Sequence, residues 1–320
     1  MSKKAVIFAV RTAVSVGILA VLLHRLDWHQ LSGVLRGIRP GYVALAPVCL
    51  AAAFLFGAVR WHTLLSAMGI SQSVRRCYAI YLIGHFYNMV LPGAISGDAI
   101  RISLCALNAR GGIGGCTFAV LLERAGGMAS LFVLGAVGAL VISPAMADAL
   151  GGAPVRALPA VAAGILAAGG LCFWVGRRIP ARLYERRGRF IARAGELASR
   201  AASLTPRVLA SFFVCSALFQ MSDIVGTYFI ARSLGVVLPF TLFLVVVPVV
   251  FVATLLPISL GGLGVREGAF VYLLGLVGVD ASSALALSLL VYCNRLLLCG
   301  VGGLLNVTWN VRGSGAALPR

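Results

Sequence analysis

Asp98 with Arg101 and Arg266 with Glu267 are charged pairs set in otherwise apolar sequence, each just beyond a Leu-Pro dipeptide. The first stretch reads Leu91-Pro92-Gly93-Ala94-Ile95-Ser96-Gly97-Asp98-Ala99-Ile100-Arg101. The second reads Leu256-Pro257-Ile258-Ser259-Leu260-Gly261-Gly262-Leu263-Gly264-Val265-Arg266-Glu267. Both follow the pattern Pro-x4-Gly-x3-Arg, which none of the other prolines among the 12 begins. Proline and glycine interrupt a helix, and a helix restarting after the break points its free N–H groups at the gap. Together with a planar guanidinium that grips oxygen atoms in pairs, such an end is suited to a phosphate or another anion. Discontinuous helices at corresponding places of a duplicated unit are a sequence mark of a transporter site.

An arginine at membrane depth costs about 3 kcal/mol on insertion scales, so each needs a partner or a cavity. Asp98, three residues before Arg101, is the expected helical partner. Glu267, adjacent to Arg266, does not share a helix face with it and is expected to pair elsewhere. Asn88, Gly97 and Gly262 complete the candidate binding residues at the two breaks. Glu123-Arg124 is expected at the start of a helix, where the glutamate suits the dipole, either gating the pathway or anchoring the interface. Asp223 with Gln220, and Asn294-Arg295, lie in apolar runs and are expected to face the bundle interior, with substrate or proton-coupling roles open to Asp223. His85 reads as a satisfied interior histidine, and Arg60-Trp61 as an interfacial anchor at a helix end. The glycines at 111, 112, 114 and 115, and from Gly164 to Gly170, read as close helix packing. No strand precedes them, so a dinucleotide loop is unsupported.

The elements that must position these residues are membrane helices. A chain that is 60% hydrophobic and 11% charged, with a mean hydropathy of +1.00, has too few polar residues to coat its own surface. Apolar runs of roughly 20 residues suffice to cross the bilayer. They lie at Ala5 to Leu23, Tyr42 to Leu65, Ala125 to Ser143, Ala157 to Val175, Val208 to Ala231, Val236 to Ile258 and Ala281 to Asn306. The first reads as a retained signal anchor, because His24-Arg25 follows it instead of a small-residue cleavage site. The net charge of +18 is explained by orientation and does not call for nucleic acid. The eight cysteines include no Cys-x2-Cys pair and read as small buried hydrophobes, with neither metal nor cofactor indicated.

Nine arginines fall in one connection, residues 177–207, which is therefore expected in the cytoplasm. Within it Leu183, Phe190, Leu197 and Leu204 recur every seven residues, as on a helix lying on an anionic surface or in a plain topogenic loop. Fixing this loop inside, with Lys3 and Lys4 also inside, leaves the stretch around Leu91-Pro92 to enter and return from the cytoplasmic side. The stretch Val236 to Leu276 does the same from outside, and Arg312 and Arg320 place the C-terminus inside. The expected fold is an all-α polytopic membrane helix bundle: six full crossings plus two inverted re-entrant half-helix hairpins, about eight transmembrane segments by hydropathy. It forms a single integral membrane domain over residues 1–320, with pseudo-repeats near 42–143 and 208–306.

At these same segments the chain resembles the lysylphosphatidylglycerol synthase transmembrane-region, or flippase-like, family. The resemblance rests on Arg60-Trp61, Phe86 to Gly93 with Gly97-Asp98 and Arg101, Glu123 to Gly127, and Leu256-Pro257 through Gly261 to Gly268. It covers nearly the whole chain. Ser96-Gly97-Asp98 stands where the family commonly has Gly-Gly-Asp, and no soluble C-terminal domain follows Arg320. The resemblance implies the membrane part alone, thought to move lipids between leaflets, without the aminoacyl transfer of two-domain members.

The expected function is translocation of a lipid or lipid-linked anion across the bacterial inner membrane, with both termini cytoplasmic and no enzymatic chemistry. The candidate substrate-binding residues are Arg101, Asp98, Asn88, Gly97, Arg266, Glu267, Gly262, Glu123, Arg124 and Asp223. Partners are membrane lipids with an anionic headgroup and, in another reading, lipid-biosynthesis enzymes. Two alternatives stand beside this one: a membrane-embedded transferase on phospholipid or polyprenyl-phosphate donors, and a non-transporting subunit of a lipid or envelope biosynthesis complex. An enzyme would want a water-facing acid, base or nucleophile constellation, which nine carboxylates and four histidines do not visibly supply.

Overall fold

The computed structural model describes residues 17, 24, 28–91, 96–106, 112–178, 204–255 and 262–313. The run Ala5 to Leu23, apart from residue 17, the two breaks at 92–95 and 256–261, residues 179–203 of the basic connection, and 314–320 lie outside this set. With them fall the signal anchor, the surface-helix reading at Leu183, Phe190 and Leu197, and the C-terminal Arg320.

The described residues are helical and contain no strand. In order the helices are α1 (Trp28–Arg36), α2 (Pro40–Ala67), α3 (Val74–Val90), α4 (Ser96–Ala106), α5 (Gly112–Val141) and α6 (Pro144–Ala149). They continue with α7 (Ala153–Arg178), α8 (Pro206–Ser233), α9 (Phe240–Leu255), α10 (Val265–Gly275) and α11 (Ala281–Gly313). Within α2, α5, α7, α8 and α11 lie five stretches long and apolar enough to cross a membrane: Pro40–Ala67, Ile113–Val141, Ala153–Leu171, Pro206–Ser233 and Ala281–Thr308. The protein is integral to a membrane. These five overlap five of the expected crossings.

Local sequence sets the helix ends. Thr205 accepts the Val208 N–H with Pro206 in the first turn of α8, and Ser143 does the same for Met146 ahead of Pro144 in α6. Hydroxyl caps satisfy donors that the first turn leaves free, and proline has none to lose there. Gly69 and Gly235, at φ 74° and 76°, turn the chain just after α2 and α8 through a region closed to other residues.

Two successions of four helices repeat in length: α2 to α5 have 28, 17, 11 and 30 residues, and α8 to α11 have 28, 16, 11 and 33. The two leading helices pack antiparallel, with Tyr42 stacked near Phe229, Ala46 beside Gly226 and Arg60 beside Ser216. Each short pair folds back on itself. In α3–α4 the Gly97 N–H donates to Asn88 Oδ1 at 2.8 Å and the Ser96 hydroxyl to the Tyr87 carbonyl at 3.3 Å. In α9–α10 a Cβ on Gly262, whose φ is 80°, would lie 2.9 Å from Thr254 Cβ. The pairs then cross over: α3 packs on α11 and α9 on α5. Gly138 of α5 admits Leu244 of α9, a close approach a larger residue would block, and Gly135 lies beside Pro248. The apolar run that opens at Val236 is not helical from its start: residues 236–239 are non-helical and α9 begins at Phe240.

Three expectations about helix geometry are corrected. Glu123-Arg124 does not open a helix: α5 begins at Gly112, before both residues. Hydropathy counts charges against a span and so sets the boundary after them. Arg60 and Trp61 are not at an interface but buried at 4% and 0% exposure within α2. Among the described residues, the glycines at 164, 169 and 170 pack against no other helix, since a Cβ on any of them meets nothing within 4 Å.

Candidate functional site

Glu123, on α5, bridges two arginines from different helices. Its Oε1 receives Arg60 Nη2 of α2 at 2.7 Å and its Oε2 receives Arg101 Nη2 of α4 at 2.6 Å, with all three side chains at 8% exposure or less. Arg60 Nη1 also donates to Ser216 Oγ of α8 at 3.0 Å. Aromatic faces cover the guanidinium groups: Arg101 lies 4.3 Å from the Tyr81 ring centroid and 4.6 Å from Trp61, and Arg60 lies 5.4 Å from Phe219. A cation withdrawn from water regains part of its hydration energy from such ring faces. Asp98 is an i, i+3 partner of Arg101 at 3.6 Å, as its spacing suggested. Its closer ion pair, however, is with Arg124 of α5, whose side chain is 42% exposed.

These groups face a cavity of about 220 Å³ enclosed by the helices from both successions. Its walls carry Arg60, Arg101, Arg124 and Arg295 against Asp98, Glu123 and Asp223, one positive charge in excess, together with Asn88 and Gln220. Gln220 donates to the Gly127 carbonyl at 3.0 Å. Asp223 of α8 and Arg295 of α11 pair at 2.8 Å. The Nε donors of Arg60, Arg101 and Arg295 are buried without a hydrogen-bond partner.

A second cavity of about 100 Å³ shares Asp223, Arg295 and Phe251 with the first and is lined further by Thr227, Thr254, Arg266 and Phe270. Here the expectation for Glu267 is corrected. Glu267 Oε1 accepts from Arg266 Nη2 at 2.6 Å although the residues are adjacent. Both stand in the first turn of α10, where the glutamate curls back to take the Gly264 N–H on Oε2 at 2.7 Å, and the flexible arginine follows it. Arg266 also lies over the Tyr292 ring at 4.6 Å, and its Nε is 3.4 Å from Ser288 Oγ. Each short hairpin thus presents an arginine held by a carboxylate and an aromatic face.

Of the candidate residues from sequence, Arg101, Asp98, Asn88, Glu123, Arg124 and Asp223 line the first cavity. Gly97 stands behind Asn88. Arg266 lines the second cavity, with Glu267 buried behind it and Gly262 against Thr254. The candidate site residues do not include Arg60, Tyr81, His85 or Arg295, all on the first cavity wall, although Arg295 is expected from sequence to face the bundle interior and does. The adjacent aromatic of Arg60-Trp61 suggested an anchor; an arginine seven residues inside a 28-residue apolar helix was the signal for burial. His85 packs edge-on to Phe54 at 4.3 Å.

The family model described as Lysylphosphatidylglycerol synthase TM region matches residues 8–303. The chain belongs to this family. No curated protein matches it. The matched span of this lysylphosphatidylglycerol synthase TM-region protein contains every charged residue of both cavities, so the buried ion pairs lie within the family's own region.

Proposed function

We propose that the protein carries a lipid with an anionic headgroup between the leaflets of the bacterial inner membrane and performs no covalent chemistry on it. One observation carries the reading. Two arginine-lined cavities, one between the two helix successions and one within the second, share the Asp223–Arg295 pair in their walls. A headgroup held by Arg101 and Arg124 on one side would meet Arg295 at the septum and Arg266 beyond it, with its acyl chains left in the lipid. The antiparallel packing of α2 and α8 supports an inverted repeat. In this reading α3–α4 is a hairpin entered from the cytoplasm and α9–α10 one entered from outside, with both termini cytoplasmic. The repeat would let the same bundle open to either face in turn.

Mass spectrometry of lipids retained by the purified protein tests this directly. Anionic lipids are expected to be enriched over their share of the membrane, and Arg101→Gln is expected to remove the enrichment. Retention of zwitterionic lipids alone, or enrichment indifferent to Arg101, would count against the headgroup site.

A further inference from the structure

A third and much smaller cavity, of about 10 Å³, is wedged between α2, α8 and α11 and is lined in part by Ser222, Asp223, Gly226, Thr227, Asn294 and Arg295. Its size suits one water molecule or one small ion. The Thr227 hydroxyl gives its proton to the Asp223 carbonyl at 3.0 Å, so toward the cavity it offers only lone pairs. Asn294 Oδ1 is buried with no hydrogen-bond partner. The Asp223 carboxylate pairs with Arg295 through Oδ2 at 2.8 Å, which leaves Oδ1 in hand. Together with the Ser222 hydroxyl, the lining is therefore rich in oxygen acceptors. A water brings two protons and leaves some of these acceptors unmatched, each at a cost of about 1–3 kcal/mol. A cation satisfies all of them at once, provided that the Arg295 guanidinium, which lines the same cavity, turns away from Asp223. With a single carboxylate among neutral oxygens, the lining suits a monovalent ion, since hard divalent ions gather several carboxylates.

We propose that this cavity is a sodium-class cation site, and that Arg295 and the cation are alternative partners of Asp223. Arg295 also lines the 220 Å³ cavity. An anion bound there draws the guanidinium off Asp223, and the freed carboxylate takes the cation. Each ligand then favours the other by the same factor, which is how a cation gradient would drive the anion. This coupling rests on the proposed function, whereas the cation site does not.

The site is tested with radioactive sodium on the purified full-length chain in detergent, choline holding ionic strength constant. Saturable binding is expected, weakened about tenfold or more by Thr227→Val and by Asn294→Ala, and strengthened by Arg295→Gln, which removes the competitor. Thr227→Val is nearly isosteric, and its elution as a single folded species excludes loss of the fold as the cause. Absence of saturable binding in both the wild-type protein and Arg295→Gln would overturn the site. So would binding that ignores Thr227→Val and Asn294→Ala together. The assay needs no lipid, so its failure leaves the lipid reading standing, and failure of lipid movement leaves the cation site standing.

Discussion

Arg60 Nη2 and Glu123 Oε1 lie 2.7 Å apart although 63 residues separate them in the chain, and each side chain is 4% exposed. Because the other oxygen of Glu123 holds Arg101, one carboxylate ties α2, α4 and α5 together at the wall of the larger cavity. Removing one member of a buried ion cluster strands the others without compensation, at a cost of about 3–5 kcal/mol. Glu123→Gln is accordingly expected to lower the unfolding free energy in mixed micelles by that order. Arg60→Gln combined with Glu123→Gln should cost less than the two single losses added, because the second change removes a charge the first left bare. Strict additivity would mean that the pair is not coupled.

Glycines divide into those that closed packing demands and those it does not. A Cβ on Gly97 would run into the Gly84 carbonyl and the Asn88 side chain, the contact that holds α3 against α4. Gly97→Ala is expected to destabilise the protein by about 1–3 kcal/mol. Gly164→Ala on α7, with nothing within 4 Å, should be neutral or stabilise by up to about 1 kcal/mol. Thermal unfolding of the two variants side by side decides the matter, and equal shifts would contradict the α3–α4 contact.

These cases show what a single sequence reveals here. The Pro-x4-Gly-x3-Arg pattern was enough to place a break ahead of α4 and α10 and to single out Arg101 and Arg266. The partners were less legible, because pairing across a bundle depends on helix contacts that no spacing encodes. Arg101 meets Glu123 across 22 residues and Arg295 meets Asp223 across 72. The start of α5 was misplaced for the same reason. Glu123 and Arg124 look costly in a span until the arginine and aspartate that neutralise them are known. Arg266 and Glu267 erred the other way, since face periodicity describes helix interiors and fails in a first turn.

The orientation of the bundle is tested at two exposed positions. Ser71 follows α2 and Ala149 ends α6. With the basic connection in the cytoplasm, Ser71→Cys lies inside and Ala149→Cys outside. In a background without native cysteines, an impermeant maleimide added to intact cells should label the second and reach the first only after lysis. Labelling of both from one side would refute the topology.

The central claim is that arginines held on the two hairpins carry an anionic headgroup across the bilayer, and the most direct measurement is movement of a labelled anionic phospholipid between leaflets of reconstituted vesicles. The wild-type protein is expected to move it well above protein-free vesicles. Compared at equal amounts of folded protein, Arg101→Gln and Arg266→Gln should abolish the movement, and the lysine variants should keep a fraction, because a point charge replaces the charge of a guanidinium but not its paired donors. Movement at the wild-type rate in both glutamine variants, or no movement by the wild-type protein across anionic lipids, would contradict the account.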